Sequence, residues 1–324
     1  MRIPLQNFCQ SICKKRSVCL RTLLLVLSWL CCASPAFAGC DGNLVTGNVL
    51  NAPFCAPGDP KRIVVLDPFY NLGMTMELGL PVVGAPLFGL HDPKLLAVAR
   101  NAAVADIGDP KQPNLERIVL LRPDLIVGHS AWHEQIHESA SRIAPTLLID
   151  DLDWKAHFLL LAEATGRSET AREALANYEA RVSAIKARME EKTVSVVRIA
   201  TSGFLVYLDA PTTFGPFAIL REAGVNRTPF ETSTGDMLFK RLDWEELEAL
   251  ESDVLLYFTV DGYDPAAYDR IEAETLANPF WQMLPAVQAG RAYRVDRATW
   301  MGFNGIASAH RVLDDVERYI LTEP

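Results

Sequence analysis

The chain has 324 residues, 49% of them hydrophobic and 22% charged, with 31 Lys and Arg against 40 Asp and Glu and a net charge of −9. Those figures fit a soluble globular protein and exclude a disordered, collagenous or mostly membrane-embedded chain. The acidic balance argues against nucleic acid as a partner, because that affinity comes from Lys and Arg neutralising phosphates; the length favours two domains over one.

Residues 1–38 read as a secretory signal peptide: Arg2, Lys14, Lys15, Arg16 and Arg21 without an acid, the apolar run Leu23 to Ala33, then Ser34-Pro-Ala-Phe-Ala38 as an Ala-x-Ala cleavage site. A retained membrane anchor is the weaker reading, since the run is shorter than the ~20 residues a spanning helix needs. Cleavage leaves 26 basic against 40 acidic residues, a net charge of −14. Five of the seven cysteines go with that segment, leaving Cys40 and Cys55 in the lead-in 39–60. An oxidising compartment favours one disulfide between them. The rival takes Phe37-Ala-Gly-Cys40 as a lipoprotein processing box with Cys40 acylated and the protein lipid-anchored, and an unpaired thiol at Cys55 is a further alternative.

Arg62 to Asp67 opens the lobe 61–165 as a buried strand, followed by a helical stretch from Asn71 to Leu78. Short apolar runs at Pro81–Ala85, Asp124–Gly128 and Thr146–Asp150 alternate with helix-like segments at Leu115–Leu121 and Ala131–Ile143. That alternation predicts an α/β unit with a largely parallel sheet. Ligands in such sheets sit beyond the carboxyl ends of the strands, which singles out Asp67 to Asn71, Ala85 to His91 and His129 to His133. Within the linker 166–191, Leu175, Tyr178, Val182, Ile185 and Met189 recur at three- and four-residue steps and predict one long helix from Ser168 to Glu190. A second α/β set in 192–324 runs through Ser195–Thr201, Asp253–Thr259 and Arg291–Asp296 to a helix from Ile306 to Leu321. The expected fold is two Rossmann-like α/β lobes joined by one long backbone helix, with a ligand cleft between them.

Gly128-His-Ser-Ala-Trp132 approaches the nucleophile elbow G-x-S-x-G, but Trp132 stands where the last Gly must turn the chain, so an exported α/β hydrolase is a poor reading and Ser130 is better taken as a helix cap. His129, His133 and His137 fall at i, i+4 and i+8 and could offer imidazoles to a metal ion, with His91 as the only evident partner elsewhere in the lobe. Neither G-x-x-x-x-G-K-[ST] nor G-x-G-x-x-G follows a strand, which speaks against nucleotide and dinucleotide binding. His157 and His310 read as surface or packing residues.

Three segments carry a resemblance when taken together: Asp106-Ile-Gly-Asp-Pro-Lys-Gln-Pro-Asn-Leu-Glu-Arg-Ile118, Arg122-Pro-Asp-Leu-Ile-Val127 and Asn278-Pro-Phe-Trp-Gln-Met-Leu-Pro-Ala-Val-Gln-Ala-Gly-Arg-Ala-Tyr-Arg-Val295. In this order, over Pro60 to about Tyr319, the chain resembles the ferric-siderophore and cobalamin group of periplasmic substrate-binding proteins of ABC importers. The resemblance implies a bilobal fold on a rigid helical backbone and a non-catalytic receptor, a monomer in the periplasm, that captures an iron(III) chelate and hands it to a permease. It implies no resident cofactor. It also implies that one Glu on each lobe pairs with permease arginines, Glu116 and Glu245 by position, although a carboxylate in the first turn of a helix needs no partner. Glu246 is an alternative to Glu245, unless it closes a capping box with Asp243.

A ferric chelate asks for Arg or Tyr donors and aromatic walls that exclude water. The candidates are Tyr70, Phe88, His129 and Trp132 in the first lobe and Tyr207, Phe214, Arg297, Trp300 and Phe303 in the second, with Trp300 expected foremost. No dense Arg cluster is present, which disfavours a highly anionic ligand such as ferric citrate. Cobalamin or haem, with His129 as an axial ligand, is the rival within the class, and direct metal-ion binding the rival outside it.

Overall fold

In the computed structural model, which describes residues 39–88, 90, 92–235, 237–260 and 265–321, the apolar runs of the first half become the strands Ile63–Val65, Val82–Ala85, Leu125–His129 and Thr146–Ile149, with the short Ala105–Asp106 beside them. The expected signal segment and His91 lie outside the described residues. All five strands are parallel, and across the sheet the order is Ala105–Asp106, Val82–Ala85, Ile63–Val65, Leu125–His129, Thr146–Ile149. Helices cover both faces, so the strand interiors are uninterruptedly apolar. The chain order reverses between Ile63–Val65 and Leu125–His129, where successive crossovers leave to opposite sides and open a crevice at the strand ends.

Side-chain caps set where several helices begin. Asp92 accepts from the Lys94 and Leu95 N–H groups ahead of Pro93–Asn101, Asp153 from Lys155 and Ala156 ahead of Trp154–Ala164, and Asn114 from Arg117 ahead of Leu115–Leu121. Each satisfies amide donors that a helix start would leave bare. The predicted helix over Ala131–Ile143 is instead three short pieces, Ser130–His133, Glu134–Ile136 and His137–Ser141, and His129 rather than Ser130 caps the first. The linker helix spans Ser168–Lys186 and buries Ala171, Leu175, Tyr178, Val182 and Ile185. It ends before Glu190 because the chain turns at Ala187 and brings Met189 back against the core. At 19 residues it is roughly 28 Å long.

The second sheet is mixed rather than parallel. Its order is Phe239–Leu242, Gly203–Tyr207, Thr193–Ala200, Val254–Thr259, Ala292–Arg294; the first two strands run antiparallel to their neighbours, and Asn226–Arg227 pairs with the start of Thr193–Ala200. The antiparallel strands were not anticipated from the sequence, because Gly203–Tyr207 follows Thr193–Ala200 after a two-residue turn without an intervening helix.

One apolar core runs through both lobes, from Val127 and Trp154 past Tyr178 to Val196, Phe217 and Val316, with a smaller cluster on the far side of each sheet. More than the linker helix therefore joins the lobes, and 42–324 form one compact unit. Glu77 accepts from the Ile306 and Ala307 N–H groups at 2.9 and 2.8 Å, at the start of the last helix, Ile306–Tyr319. Gly305 is required beside it, with φ of 142° and a position where a Cβ would collide with that carboxylate. Asp92 accepts from Arg311 at 2.6 Å and from Asn304, and Trp154 meets Phe303 edge-on at 5.5 Å. Among the described residues no helix is long and apolar enough to cross a membrane.

Candidate ligand-binding site

The N-terminal wall of the crevice is organised by Asp67, just past the strand Ile63–Val65. Its Oδ1 accepts from the backbone N–H groups of Phe69 at 3.1 Å and Tyr70 at 2.9 Å, and its Oδ2 from the Asn71 side chain at 2.6 Å. This turn sets two aromatic residues at the strand end. The Asn71 side-chain amide oxygen in turn meets Nε2 of buried His157 at 2.9 Å.

Around that turn the rings form two layers. Tyr70, His129 and His157 are buried, with Tyr70 5.8 Å from His129 and 5.4 Å from His157. In front of them Trp132, 42% exposed, lies 4.7 Å from His129, and the half-exposed Phe69 approaches it edge-on at 6.0 Å. Burial raises the Tyr70 hydroxyl to about 12, helped by the Asp67 charge, and lowers His157 to about 4 against the opposing pull of Asp67. His129 is lowered as well, chiefly by burial. At neutral pH Tyr70, His129 and His157 therefore present uncharged rings behind Trp132 and Phe69.

The C-terminal wall stands on a sheet face. Register places Arg198 opposite Leu205 on one side and Phe258 on the other, and Leu205 opposite Arg241, so these four share a face. Arg198 is partly buried and donates from Nε to the Val260 carbonyl at 3.0 Å; no carboxylate among the described residues pairs with it. Arg241 is exposed, 6.0 Å from the Phe239 ring. Further along the face, Tyr207 is buried and stacked on Phe217 at 4.6 Å. The rings of Phe214, 40% exposed, and Phe239, 41% exposed, lie 6.0 and 6.2 Å from it. Behind this layer the buried Arg227 donates to the Tyr207 carbonyl and pairs with Glu231 at 2.7 Å, pinning the strand.

Between the lobes a pocket of about 390 Å³ is lined by Asn48 and Asp150–Trp154 from the first and by Pro211, Thr212, Thr213 and Ala218 from the second. A larger one, about 710 Å³, is bounded by Pro93 and by Thr259, Arg294, Arg297, Arg318, Asp296 and Asp315, among others.

Of the expected contact residues, Trp132, Phe88 and Phe214 are exposed, Phe88 to 60%. Arg297 is half-buried, its guanidinium 4.6 Å over the Tyr268 ring, and lines the larger pocket. Trp300 is corrected: it is 1% exposed, packs on Phe217 at 5.9 Å and donates its indole N–H to Asp315 at 2.8 Å, so it offers no open face to a ligand. Phe303 is likewise a packing residue, wedged between Trp154 and Gly215, where a Cβ would come within 2.7 Å of its ring. Tyr70, His129 and Tyr207 back the exposed rings rather than forming the surface.

The histidine series does not assemble. His133 is fully buried, with Nδ1 facing the His129 backbone and Nε2 3.0 Å from the Pro110 carbonyl, while His137 faces Asn51 and Ser141. The helix break after His133 separates what a continuous helix would have aligned. Among the described residues no three His, Cys, Asp or Glu side chains gather as a metal centre needs. His129 Nδ1 accepts from the Ala131 N–H at 3.2 Å, while its Nε2 is buried without a hydrogen-bond partner among the described residues. His157, read as a surface or packing residue, is a packing residue, buried in the layer behind Trp132. The Ser130 hydroxyl donates to Asp150, so the elbow-like segment holds no serine–histidine pair.

Cys40 and Cys55 are both disulfide-bonded. Glu116 and Glu245 are exposed in first turns, and Glu246 closes the capping box with Asp243, leaving Glu245 outside it. Arg198, Arg241, Phe69 and Phe239 were missed. The available signal was Arg198 itself, a charge inside the apolar run Val194 to Ala200, because a charged residue in a buried strand asks for a partner.

A family model described as periplasmic binding protein matches residues 63–299. The chain is 32% identical over 278 residues to the probable siderophore-binding lipoprotein YfiY of Bacillus subtilis, covering 82% of this chain and 84% of that one. It is 28% identical over 225 residues to the achromobactin-binding periplasmic protein of Dickeya dadantii, covering 67% and 72%. Among solved structures, Staphylococcus aureus SirA complexed with staphyloferrin B superposes with a TM-score of 0.71 at 23% identity over 87% of this chain and 98% of that one, a likeness of fold. With the model spanning both lobes and the YfiY match running through most of the sequence, the chain belongs to the periplasmic binding protein family, whose members bind cargo for ABC transporters and are not enzymes.

Proposed function

We propose that the protein captures a ferric siderophore between the two aromatic walls and, as a monomer in the periplasm, delivers it to an ABC import permease that it meets through Glu116 and Glu245. The observation that carries this reading is Arg198, a partly buried guanidinium without a carboxylate partner among the described residues, on the face that also presents Phe239. A negatively polarised chelate supplies what that group lacks, and exposed rings on both lobes supply walls that exclude water. The siderophore-binding relatives support the same cargo. The disulfide state of Cys40 supports a free periplasmic protein over an acylated one.

The test is a tryptophan-fluorescence titration with ferric hydroxamate, catecholate and citrate complexes, cobalamin, haemin and zinc. Saturable quenching by a ferric chelate at micromolar or tighter, diminished in Trp132→Ala, is the expected result. Saturation by cobalamin, haemin or zinc with silence toward every ferric chelate would overturn the cargo.

A further inference from the structure

The N-terminal wall is unusual in its charge. Its four segments, Asp67 to Asn71, Ala85 to Phe88, His129 to His133 and Asp150 to Trp154, contain no Lys or Arg. The nearest cation along the chain, Lys155, is held by Glu222 at 2.9 Å. Three carboxylates at the rim of the inter-lobe pocket have neutral partners: Asp150 takes the Ser130 hydroxyl, Asp151 the Asn48 amide at 2.8 Å, and Asp153 the backbone N–H groups of Lys155 and Ala156 at 2.9 and 3.0 Å. None of the three forms an ion pair among the described residues. Burial keeps His129 and His157 neutral at pH 7, so they do not offset these charges.

On the opposite wall, among the described residues, Arg198 is partly buried and Arg241 exposed on the edge strand, while the buried Arg227 is paired with Glu231. Lys240 is committed to the Phe230 carbonyl at 2.7 Å and Arg221 to Asp209 at 3.0 Å. Among the described residues of these two faces, one partly buried and one exposed arginine have no carboxylate partner, and three carboxylates likewise lack an ion pair. An unneutralised charge is costly in such a crevice, and like charges facing one another discriminate strongly between ligands.

From this asymmetry we infer that the cargo is a ferric chelate of the hydroxamate type, neutral or singly negative overall, seated with its iron-bound oxygens toward Arg198 and its uncharged or cationic arms toward Asp150, Asp151 and Trp132. A hydroxamate brings one negative charge to iron and a catecholate two. Three hydroxamates around iron(III) make a neutral complex, whereas three catecholates make a triply negative one. The neutral complex still presents polarised oxygens to a guanidinium, and a pendant ammonium gains from the aspartates. The triply negative complex meets one half-buried arginine and three carboxylates. The inference rests on the ferric-chelate reading and narrows it.

The experiment compares, on the same protein at low and high salt, a neutral linear ferric trihydroxamate, the same chelate with a pendant ammonium, a ferric tris-catecholate and ferric citrate. Both hydroxamates are expected to bind at least about a hundredfold tighter than the catecholate, the ammonium form gaining further at low salt. The double variant Asp150→Asn, Asp151→Asn is expected to narrow the hydroxamate-to-catecholate ratio by about tenfold. A catecholate or citrate complex bound as tightly as the hydroxamates would overturn the charge assignment while leaving the siderophore function standing. Silence toward all four chelates would overturn the proposed function, and this inference with it.

Discussion

The two walls of the crevice are made in different ways. The N-terminal wall is a set of loops at the carboxyl ends of parallel strands, drawn together by Asp67 and backed by Tyr70, His129 and His157. The C-terminal wall is the face of a mixed sheet, where Arg198, Arg241, Phe239 and Tyr207 are neighbours because of strand register. A loop wall can place aromatic rings but depends on buried polar contacts to hold them; a sheet wall holds a charge on a rigid backbone whose own hydrogen bonds are already satisfied.

The comparison breaks first behind the C-terminal wall. Trp300→Ala is expected to cost about 3 to 5 kcal/mol of folding stability, measured by urea unfolding, because it empties a core site and orphans Asp315. Had Trp300 been a ligand wall, the variant would lose binding with little change in unfolding.

A pH series probes the opposite wall. Because burial lowers His157 to about 4 in the folded protein, below its ordinary 6.5, the unfolded chain binds the extra proton first as pH falls. Stability is then full above about pH 6.5 and declines toward pH 4, by at most about 3 kcal/mol, and His157→Gln should flatten this part of the profile.

Arg198→Ala sharpens the division of labour. It should leave unfolding nearly unchanged yet weaken ferric-chelate binding by about 2 to 3 kcal/mol in equilibrium titration, since the variant removes a charge-assisted donor from a half-buried site. Trp132→Ala is expected to cost less binding, about 1 to 2 kcal/mol, while removing most of the fluorescence response. If the order of these last two were reversed, the N-terminal wall would be the dominant one.

Particular residues show where the sequence was informative. The strand-end segments around Tyr70 and Trp132 were recognisable because alternation of strand and helix predicts a parallel sheet, and a parallel sheet predicts where its ligand sits. Cys40 and Cys55 were recognisable from compartment logic. Trp300 was misread because a large aromatic residue after a strand looks the same whether it faces a cleft or Phe217; the distinction rests on Asp315 and the last helix. Arg198 was passed over because its neighbours in sequence are apolar, while its neighbours in space are Leu205, Phe258 and the Val260 carbonyl.

Local pattern alone settles the α/β class and the long linker helix, since each depends on residues within a few turns or on composition. The mixed second sheet, the shared core, the dispersal of His129, His133 and His137, and the placing of Arg198 beside Leu205, Phe258 and the Val260 carbonyl were decided by packing, because burial and charge pairing are properties of side chains brought together from distant parts of the chain.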